Sequence, residues 1–371
     1  MSTSGQRNAW AFSGGAQPDW VTPDGVTPWA GFGGARAPVL CKGRLAPSPT
    51  GALHLGNART FLLAWLSIRS RNGIFALRME DLDHPKNKPG AAQAAMDDLR
   101  WLGFDWDEGP DVGGPSGPYT QTERIPLYAA ALERLREQGL AYPCICSRRD
   151  VEAGQSAPHT EDGLYYPGTC RDRFSDYAAA QAALPPGRLP AWRFRVPEGE
   201  VVRFEDGFCG AYEQVVSAFS GDFVLARHPL GAGYMLAVVV DDAAMGITEV
   251  VRGDDLLPTT PRQLLLYRAL GLQPPRFFHT PLVVGPDGRR LAKRHGDTRI
   301  SAFREAGWKP ETVIALLARI SGLAEPGETA LRLPDLLPRF QWSRIPKAPV
   351  VMTERDSPHF AIGDVHNRDG T

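Results

Sequence analysis

The sequence predicts an α/β fold, and three observations predict it. Short, almost continuously apolar runs at residues 74–79, within 222–242 and at 247–251 suit the buried strands of a mostly parallel sheet. Segments of helical period at 91–102, 121–139 and 260–270 alternate with them. The stretch 43–60, GRLAPSPTGALHLGNART, passes from a strand through a loop marked by Pro47, Pro49 and Gly51 directly into a helix.

With 371 residues, 43% hydrophobic and 22% charged, the chain has ordinary globular composition and room for two or three domains. No apolar run approaches the roughly 18 residues of a membrane span, and no basic-then-apolar leader opens the chain, so a cytoplasmic protein is expected. A net charge of −1 and a pI near 6.7 exclude a globally basic nucleic-acid binder but leave room for a local basic surface. Residues 1–39, rich in Gly, Pro, Trp, Ser and Ala and without either period, are expected to be a disordered extension.

A helix N-terminus carries unpaired N–H groups and partial positive charge, so the turn at 51–57 is a natural phosphate seat. There His54 can donate to a charge developing on phosphorus. Gly56, with Asn57 beyond it, lets a phosphate or nucleobase approach the backbone. An ordinary βα loop with a surface histidine would use the same residues. Neither GxGxxG nor GxxxxGK[ST] occurs in this stretch, which argues against a dinucleotide fingerprint or a P-loop.

The helix is expected to run to about residue 71. The strand at 74–79 then leads into Glu80, Asp81 and Asp83, at the carboxyl end where open α/β sheets bind ligands. Glu80 can accept hydrogen bonds from an ammonium group; a solvated acidic turn is the alternative. Ala92, Met96, Leu99 and Leu102 read as a core-facing helix. A Gly- and Pro-dense loop leads to a second helix over 121–139, with Leu127, Ala131 and Leu135 on one face.

Five cysteines, an odd number with three clustered, suit a metal site better than a disulfide framework. Cys144 and Cys146, one residue apart, and Cys170 on a later turn allow three thiolates to converge on one tetrahedral Zn2+; buried free thiols are the alternative. Tyr166, His159 and Tyr165 are candidates for the fourth ligand. With no open carboxylate or histidine cluster beside them, such a zinc, one per chain, is structural. Cys209, in a turn, reads as a free thiol.

A polar helix and the alternating strand WRFRV occupy 175–203. DFVLARHPLGAGYMLAVVVDD, at 222–242, reads as two strands joined by a Gly-rich hairpin, the second opened by Tyr234 and ending in two acids. Arg252 emerges at the carboxyl end of the strand in ITEVVRGDD, where it can pair bidentately with a carboxylate. After the helix at 260–270 come a strand, a PDG turn and a loop carrying Arg289, Arg290, Lys293, Arg294 and His295. These cations can close over a triphosphate; a solvated basic loop is the alternative. Residues 301–323 read as helices with Val313, Leu316, Leu317 and Ile320 inward, and the tail beyond 351 as disordered.

In order, APSPTGALHLGN, LRMEDLD, GYMLAVVVDD, VVRGDD and RLAKRHG resemble the class I aminoacyl-tRNA synthetases of the glutamyl type over about residues 40–323. His54-Leu55-Gly56-Asn57 matches the first signature of that family and Arg290-Leu291-Ala292-Lys293-Arg294 the second. The resemblance implies a Rossmann-like class I aminoacyl-tRNA synthetase catalytic domain in two halves, 40–140 and 216–300. Between them it implies an inserted zinc-containing, acceptor-end-like subdomain at 141–215, and after them a short helical C-terminal part at 301–351.

The CxC followed by Tyr-x3-Cys, the RHGD after the lysine and the end soon after the second signature resemble most a truncated branch of the family that glutamylates queuosine in the anticodon loop of tRNA(Asp). About fifty residues follow the last helix, against the further helical anticodon-binding domain of a discriminating glutamyl synthetase.

Carried over residue by residue, the resemblance implies that Arg44, Ala46 and Ser48 hold L-glutamate, Glu80 its ammonium group, and Tyr234 and Arg252 its carboxylates. His54, Gly56 and Asn57 line ATP, Lys293 neutralises the phosphates as pyrophosphate departs, and Tyr166 is the fourth zinc ligand. The implied activity of this expected monomer is ATP- and Mg2+-dependent, tRNA-independent formation of glutamyl-adenylate, followed by transfer to tRNA(Asp) bearing queuosine. The α-carboxylate attacks the α-phosphorus in line, and charge neutralisation rather than covalent catalysis carries the step. Ala292 stands where the second signature has Ser and Arg290 where it has Lys. The first change removes a hydroxyl from the phosphate loop, the second keeps the charge, and an active enzyme is still expected. The alternatives are a minimal glutamyl-tRNA synthetase charging a tRNA 3′ end and a non-catalytic paralogue that binds glutamate or tRNA.

Overall fold

The computed structural model describes residues 41–82, 86–153, 165–227, 231–285, 287–288 and 297–352. The expectations for the extension 1–39, the tail 353–371, Asp83, His159 and the basic loop 289–295, with Lys293 in it, lie outside the described residues.

Strand β1 (Lys42–Leu45) pairs in parallel with β2 (Ile74–Leu77), Lys42 opposite Ile74 and Leu45 opposite Leu77. The crossover between them is helix α1 (Leu55–Arg69), whose Leu55, Leu62, Leu63, Leu66 and Ile68 are buried. It is apolar on most sides because strands and a later helix cover it. Helix α2 (Ala91–Trp101) buries Ala95, Met96 and Leu99. The helix expected over 121–139 begins as a 3-10 turn (Gln121–Arg124) before α3 (Ile125–Glu137), with Pro126 in the first turn, where its missing N–H goes unneeded.

A middle region follows: β3 (Ala141–Cys144), short helices α4 (Arg148–Ala153) and α5 (Tyr177–Ala182), β4 (Ala191–Phe194), β5 (Val201–Asp206), β6 (Gly210–Val215), the helical turn α6 (Val216–Phe219) and β7 (Val224–Ala226). Strands β3, β4 and β7 form an antiparallel sheet in that order, and β5 and β6 a separate two-stranded ribbon.

One expectation is overturned here. The run opened by Tyr234 is a helix, α7 (Tyr234–Ala244), rather than a second strand. A short, wholly apolar run carries no period, so a buried helix and a buried strand read alike in it, and its valines favoured the strand. Tertiary packing decides: α7 is buried from Leu236 to Ala243 and packs against α3 and β7. Its two acids are consumed by buried cations rather than exposed at a strand end.

Strand β8 (Glu249–Gly253) pairs in parallel with β9 (Arg276–Thr280) through α8 (Thr260–Leu270), which Gly271 ends in the left-handed conformation at φ 68°. The Thr248 N–H donates to Lys42 O (2.9 Å), so the pair β8–β9 lies beside β1–β2, and α1 packs against β1, β2 and β8. Strand β10 (Val283–Val284), short helices α9 (Ile300–Glu305) and α11 (Leu333–Leu336), and α10 (Pro310–Ile320) between those helices follow among the described residues, with β11 (Val350–Val351), which pairs with β10. Val313, Leu316 and Leu317 are buried and Ile320 is half-buried. Among the described residues no helix is long and apolar enough to cross a membrane.

Candidate active site

A cavity of about 550 Å3 opens where β1, β2 and β8 end, and Arg44, Ala46, Ser48, His54, Gly56, Asn57, Glu80, Tyr234 and Arg252 all line it. Each arrives on a different piece of local structure. Arg44 is on β1, Ala46 and Ser48 are in the loop after it, and the loop is held against Glu80 by the Glu80 N–H to Pro47 O (3.0 Å). Tyr234 comes from the start of α7 and is 42% exposed at the rim; Arg252 comes from β8. Of the other acids after β2, Asp81 is spent on Thr122, accepting from its N–H (2.9 Å) and hydroxyl (2.7 Å).

His54 is the N-cap of α1. Its Nδ1 accepts from the Asn57 N–H at 3.4 Å, and Asn57 Oδ1 accepts from the His54 N–H at 3.5 Å. Gly56 leaves room for this ring: a Cβ there would stand 3.1 Å from His54 Cε1. The same turn is stitched to the segment after the basic loop, since the Leu55 N–H donates to Thr298 O (3.0 Å) and the Ile300 N–H to Leu53 O (2.8 Å). The turn at the start of α1 and the segment 298–300 are therefore tied together by backbone hydrogen bonds.

Beneath the cavity lies a buried ion network. Arg78, fully buried, donates to Asp242 Oδ1 (2.7 Å) and Glu80 Oε1 (2.9 Å). Arg44 Nε is 3.4 Å from the same Asp242 oxygen. Asp241 accepts from Arg124 (2.6 Å), Gln121 (2.8 Å) and Tyr128. Burial raises the Glu80 carboxyl, opposed by the charges of Arg78 and Arg44. Two cations and a carboxylate thus face one cavity beside a helix N-terminus. That set can hold an amino acid bearing two carboxylates and one ammonium next to a phosphate.

Arg252 is held on three sides. Its Nε donates to His279 Nε2 (2.9 Å) and its Nη2 to Thr260 Oγ1 and Gln263 Oε1 (2.8 Å each). Buried Nη1 has no partner among the described residues. His279 Nδ1 in turn meets Asp206 Oδ2 at 2.6 Å. Burial lowers the His279 imidazole to about 4; the Asp206 bond opposes that and the Arg252 charge adds to it.

A second constellation sits in the middle region. The Sγ atoms of Cys144, Cys146 and Cys170 lie within 4.8 Å of one another. Tyr166 Oη is 3.3 Å from Cys144 Sγ and 3.8 Å from Cys146 Sγ, and it accepts from the Cys170 N–H at 2.8 Å. Tyr166 is placed by its N–H to Ser220 O (3.0 Å) against Gly221, φ 62°, where a Cβ would fall 2.0 Å from the Tyr166 carbonyl oxygen. The bond from Cys144 lowers the Cys170 thiol while the same contact raises Cys144, so Cys170 gives up its proton more readily of the two. Arg193 donates to Cys144 Sγ (3.2 Å) and lies 3.6 Å over the Tyr166 ring. Three sulfurs, one phenol oxygen and a compensating cation fit a tetrahedral zinc site.

Sequence reasoning missed Arg78, Asp206, Thr260, Gln263 and His279, and treated Asp242 only as an acid closing an apolar run. For Arg78 and His279 a signal existed: each is a polar residue interrupting an apolar strand, IFALRM and RFFHT, and a buried charge needs a partner.

Over residues 41–355 the chain matches the family model described as tRNA synthetases class I (E and Q), catalytic domain. It is 53% identical over 314 residues to the Glutamyl-Q tRNA(Asp) synthetase of Symbiobacterium thermophilum, covering 84% of this chain and 95% of that protein. To the Glutamyl-Q tRNA(Asp) synthetase of Nitratidesulfovibrio vulgaris it is 48% identical over 301 residues, 81% of this chain and 89% of that one. Among solved structures, a glutamate tRNA ligase from Elizabethkingia meningosepticum in complex with its amino acid is similar with a TM-score of 0.74 at 27% identity, over 88% of this chain and 70% of that chain.

Proposed function

Because the chain belongs to the class I tRNA synthetases of the E and Q type, we propose that it activates L-glutamate with ATP as glutamyl-adenylate and transfers the glutamate to queuosine in the anticodon loop of tRNA(Asp). The observation that carries this is the 53% identity with a Glutamyl-Q tRNA(Asp) synthetase over 95% of that protein's length. The cavity supports the first half-reaction. Arg44, Ala46 and Ser48 hold the glutamate, Glu80 its ammonium group, and Tyr234 and Arg252 its carboxylates. His54, Gly56 and Asn57 take the phosphates of ATP at the α1 N-terminus. Lys293, from the loop that returns at Thr298, neutralises pyrophosphate. Mg2+ entering with ATP supplies further charge neutralisation.

The Cys144, Cys146, Cys170 and Tyr166 set holds a structural zinc within an inserted subdomain whose limits, about 141–215 by sequence, belong to the same proposal. The decisive assay is incorporation of labelled glutamate into tRNA with and without queuosine. Labelling only of queuosine-bearing tRNA(Asp) is expected; labelling of queuosine-free tRNA at its 3′ end sinks the reading in favour of a minimal glutamyl-tRNA synthetase.

A further inference from the structure

On the reading of Arg252 as a carboxylate ligand, we propose that Asp206 and His279 are positioning residues that aim its guanidinium, so that affinity for glutamate depends on two side chains that never touch it. The geometry is a relay across two strands. Arg252 and His279 are register partners in the parallel pair β8–β9, and His279 is wholly buried. The Nε–H of Arg252 points at His279 Nε2 from 2.9 Å, so Nε2 must be an acceptor and the imidazole proton must sit on Nδ1. Asp206 imposes that tautomer, its Oδ2 lying 2.6 Å from Nδ1. Asp206 is itself fixed, its Oδ1 accepting the N–H groups of Phe208 (2.9 Å) and Cys209 (2.8 Å) at the tip of the β5–β6 ribbon.

With the other tautomer an N–H would face the N–H of a cation, and Arg252 would lose the bond that sets its plane. As built, Nε and Nη2 are fully engaged, and Nη1 is the guanidinium nitrogen with no partner among the described residues. A guanidinium so held meets a carboxylate without first losing rotamer freedom. Outer partners of this kind typically change affinity about 10- to 100-fold where they orient metal ligands, and a similar scale is expected here.

The test is glutamate-dependent ATP–pyrophosphate exchange on the full chain. His279→Leu and Asp206→Asn should raise KM for glutamate about tenfold or more while KM for ATP stays within about twofold. His279→Gln keeps an acceptor toward Arg252 and should recover most of the loss. An unchanged glutamate KM in both Asp206→Asn and His279→Leu overturns the relay, as does an equal rise in both KM values with a lowered melting temperature, which marks a merely structural role. If His279→Leu does not fold, Asp206→Asn and His279→Gln decide. Arg252→Lys separates the layers: if it leaves glutamate KM unchanged, the carboxylate reading itself fails; if it raises KM and the other variants do not, only the relay fails.

Discussion

Arg78 and Asp242 form a wholly buried ion pair, Nη1 to Oδ1 at 2.7 Å, and each also touches a side chain of the cavity: Arg78 holds Glu80, and Asp242 lies beside Arg44. The pair therefore couples the stability of the sheet–helix junction to the geometry of the site. Removing one partner leaves an uncompensated charge in the core, which typically costs 3–5 kcal/mol. Asp242→Ala should lower stability by about 3 kcal/mol, read as a lower urea midpoint at unchanged m-value, and raise KM for glutamate because Arg44 loses its anchor. A variant of wild-type midpoint would show that Asp241 and Glu80 suffice for Arg78.

Gly56→Ala separates stability from chemistry. Alanine is the better helix former by about 1 kcal/mol, so the melting temperature should hold or rise. Yet its Cβ would stand 3.1 Å from His54 Cε1, and the ring must give way by a few tenths of an ångström. A fall in kcat on the order of tenfold is expected in pyrophosphate exchange, with glutamate KM near wild type. An unchanged kcat would remove His54 from the phosphate side of the reaction.

Much of this was legible in the sequence, for identifiable reasons. β2 is flanked by Gly73 and Arg78, β8 is followed by Asp254, and α8 carries Pro261 in its first turn and Gly271 after its end, so local chemistry alone marks them. Of the residues that line the cavity, His54, Gly56, Asn57, Glu80 and Arg252 were legible from their places at strand ends and at a helix cap, positions with a ligand-binding rationale of their own, whereas Arg44, Ala46, Ser48 and Tyr234 were named only through the family resemblance. α7 was not, because an all-apolar segment takes its conformation from what covers it. The relay behind Arg252 was not, because Asp206 and His279 are 73 residues apart and meet only once β9 lies against the β5–β6 ribbon.

The pH dependence of stability has a definite sign at His279. Its folded pKa is about 4, below the ordinary 6.5, so the unfolded chain binds a proton that the folded one refuses. Stability is full above pH 6.5 and falls as pH drops from there toward 4, by at most about 3 kcal/mol. The charges acting on the ring are those of Asp206, Arg252 and Asp255, and the Thr260 hydroxyl, 3.2 Å from Nε2, and the Phe277 ring also lie against it. The stability difference between wild type and His279→Gln, measured by denaturant titration at several pH values, should therefore be largest near pH 7 and shrink by pH 4.5. A difference independent of pH would mean that the imidazole titrates normally in the folded protein.

Metal removal tests the cysteine cluster. Cys144, Cys146, Cys170 and the Tyr166 hydroxyl already stand within reach of one ion, with Arg193 against both Cys144 and the Tyr166 ring. A ligand bound only by the folded state stabilises it by RT ln(1 + [L]/Kd), about 2.7 kcal/mol at a hundredfold excess over Kd. Purified protein should carry one zinc per chain, and chelation should lower its melting temperature reversibly. Tyr166→Phe then asks whether the phenol is a ligand: the variant should release zinc to a chromophoric chelator at roughly 10- to 100-fold lower competitor concentration. If Tyr166→Phe matches wild type in that competition, the fourth position belongs to another group, and if neither protein carries zinc, the cluster is three free thiols.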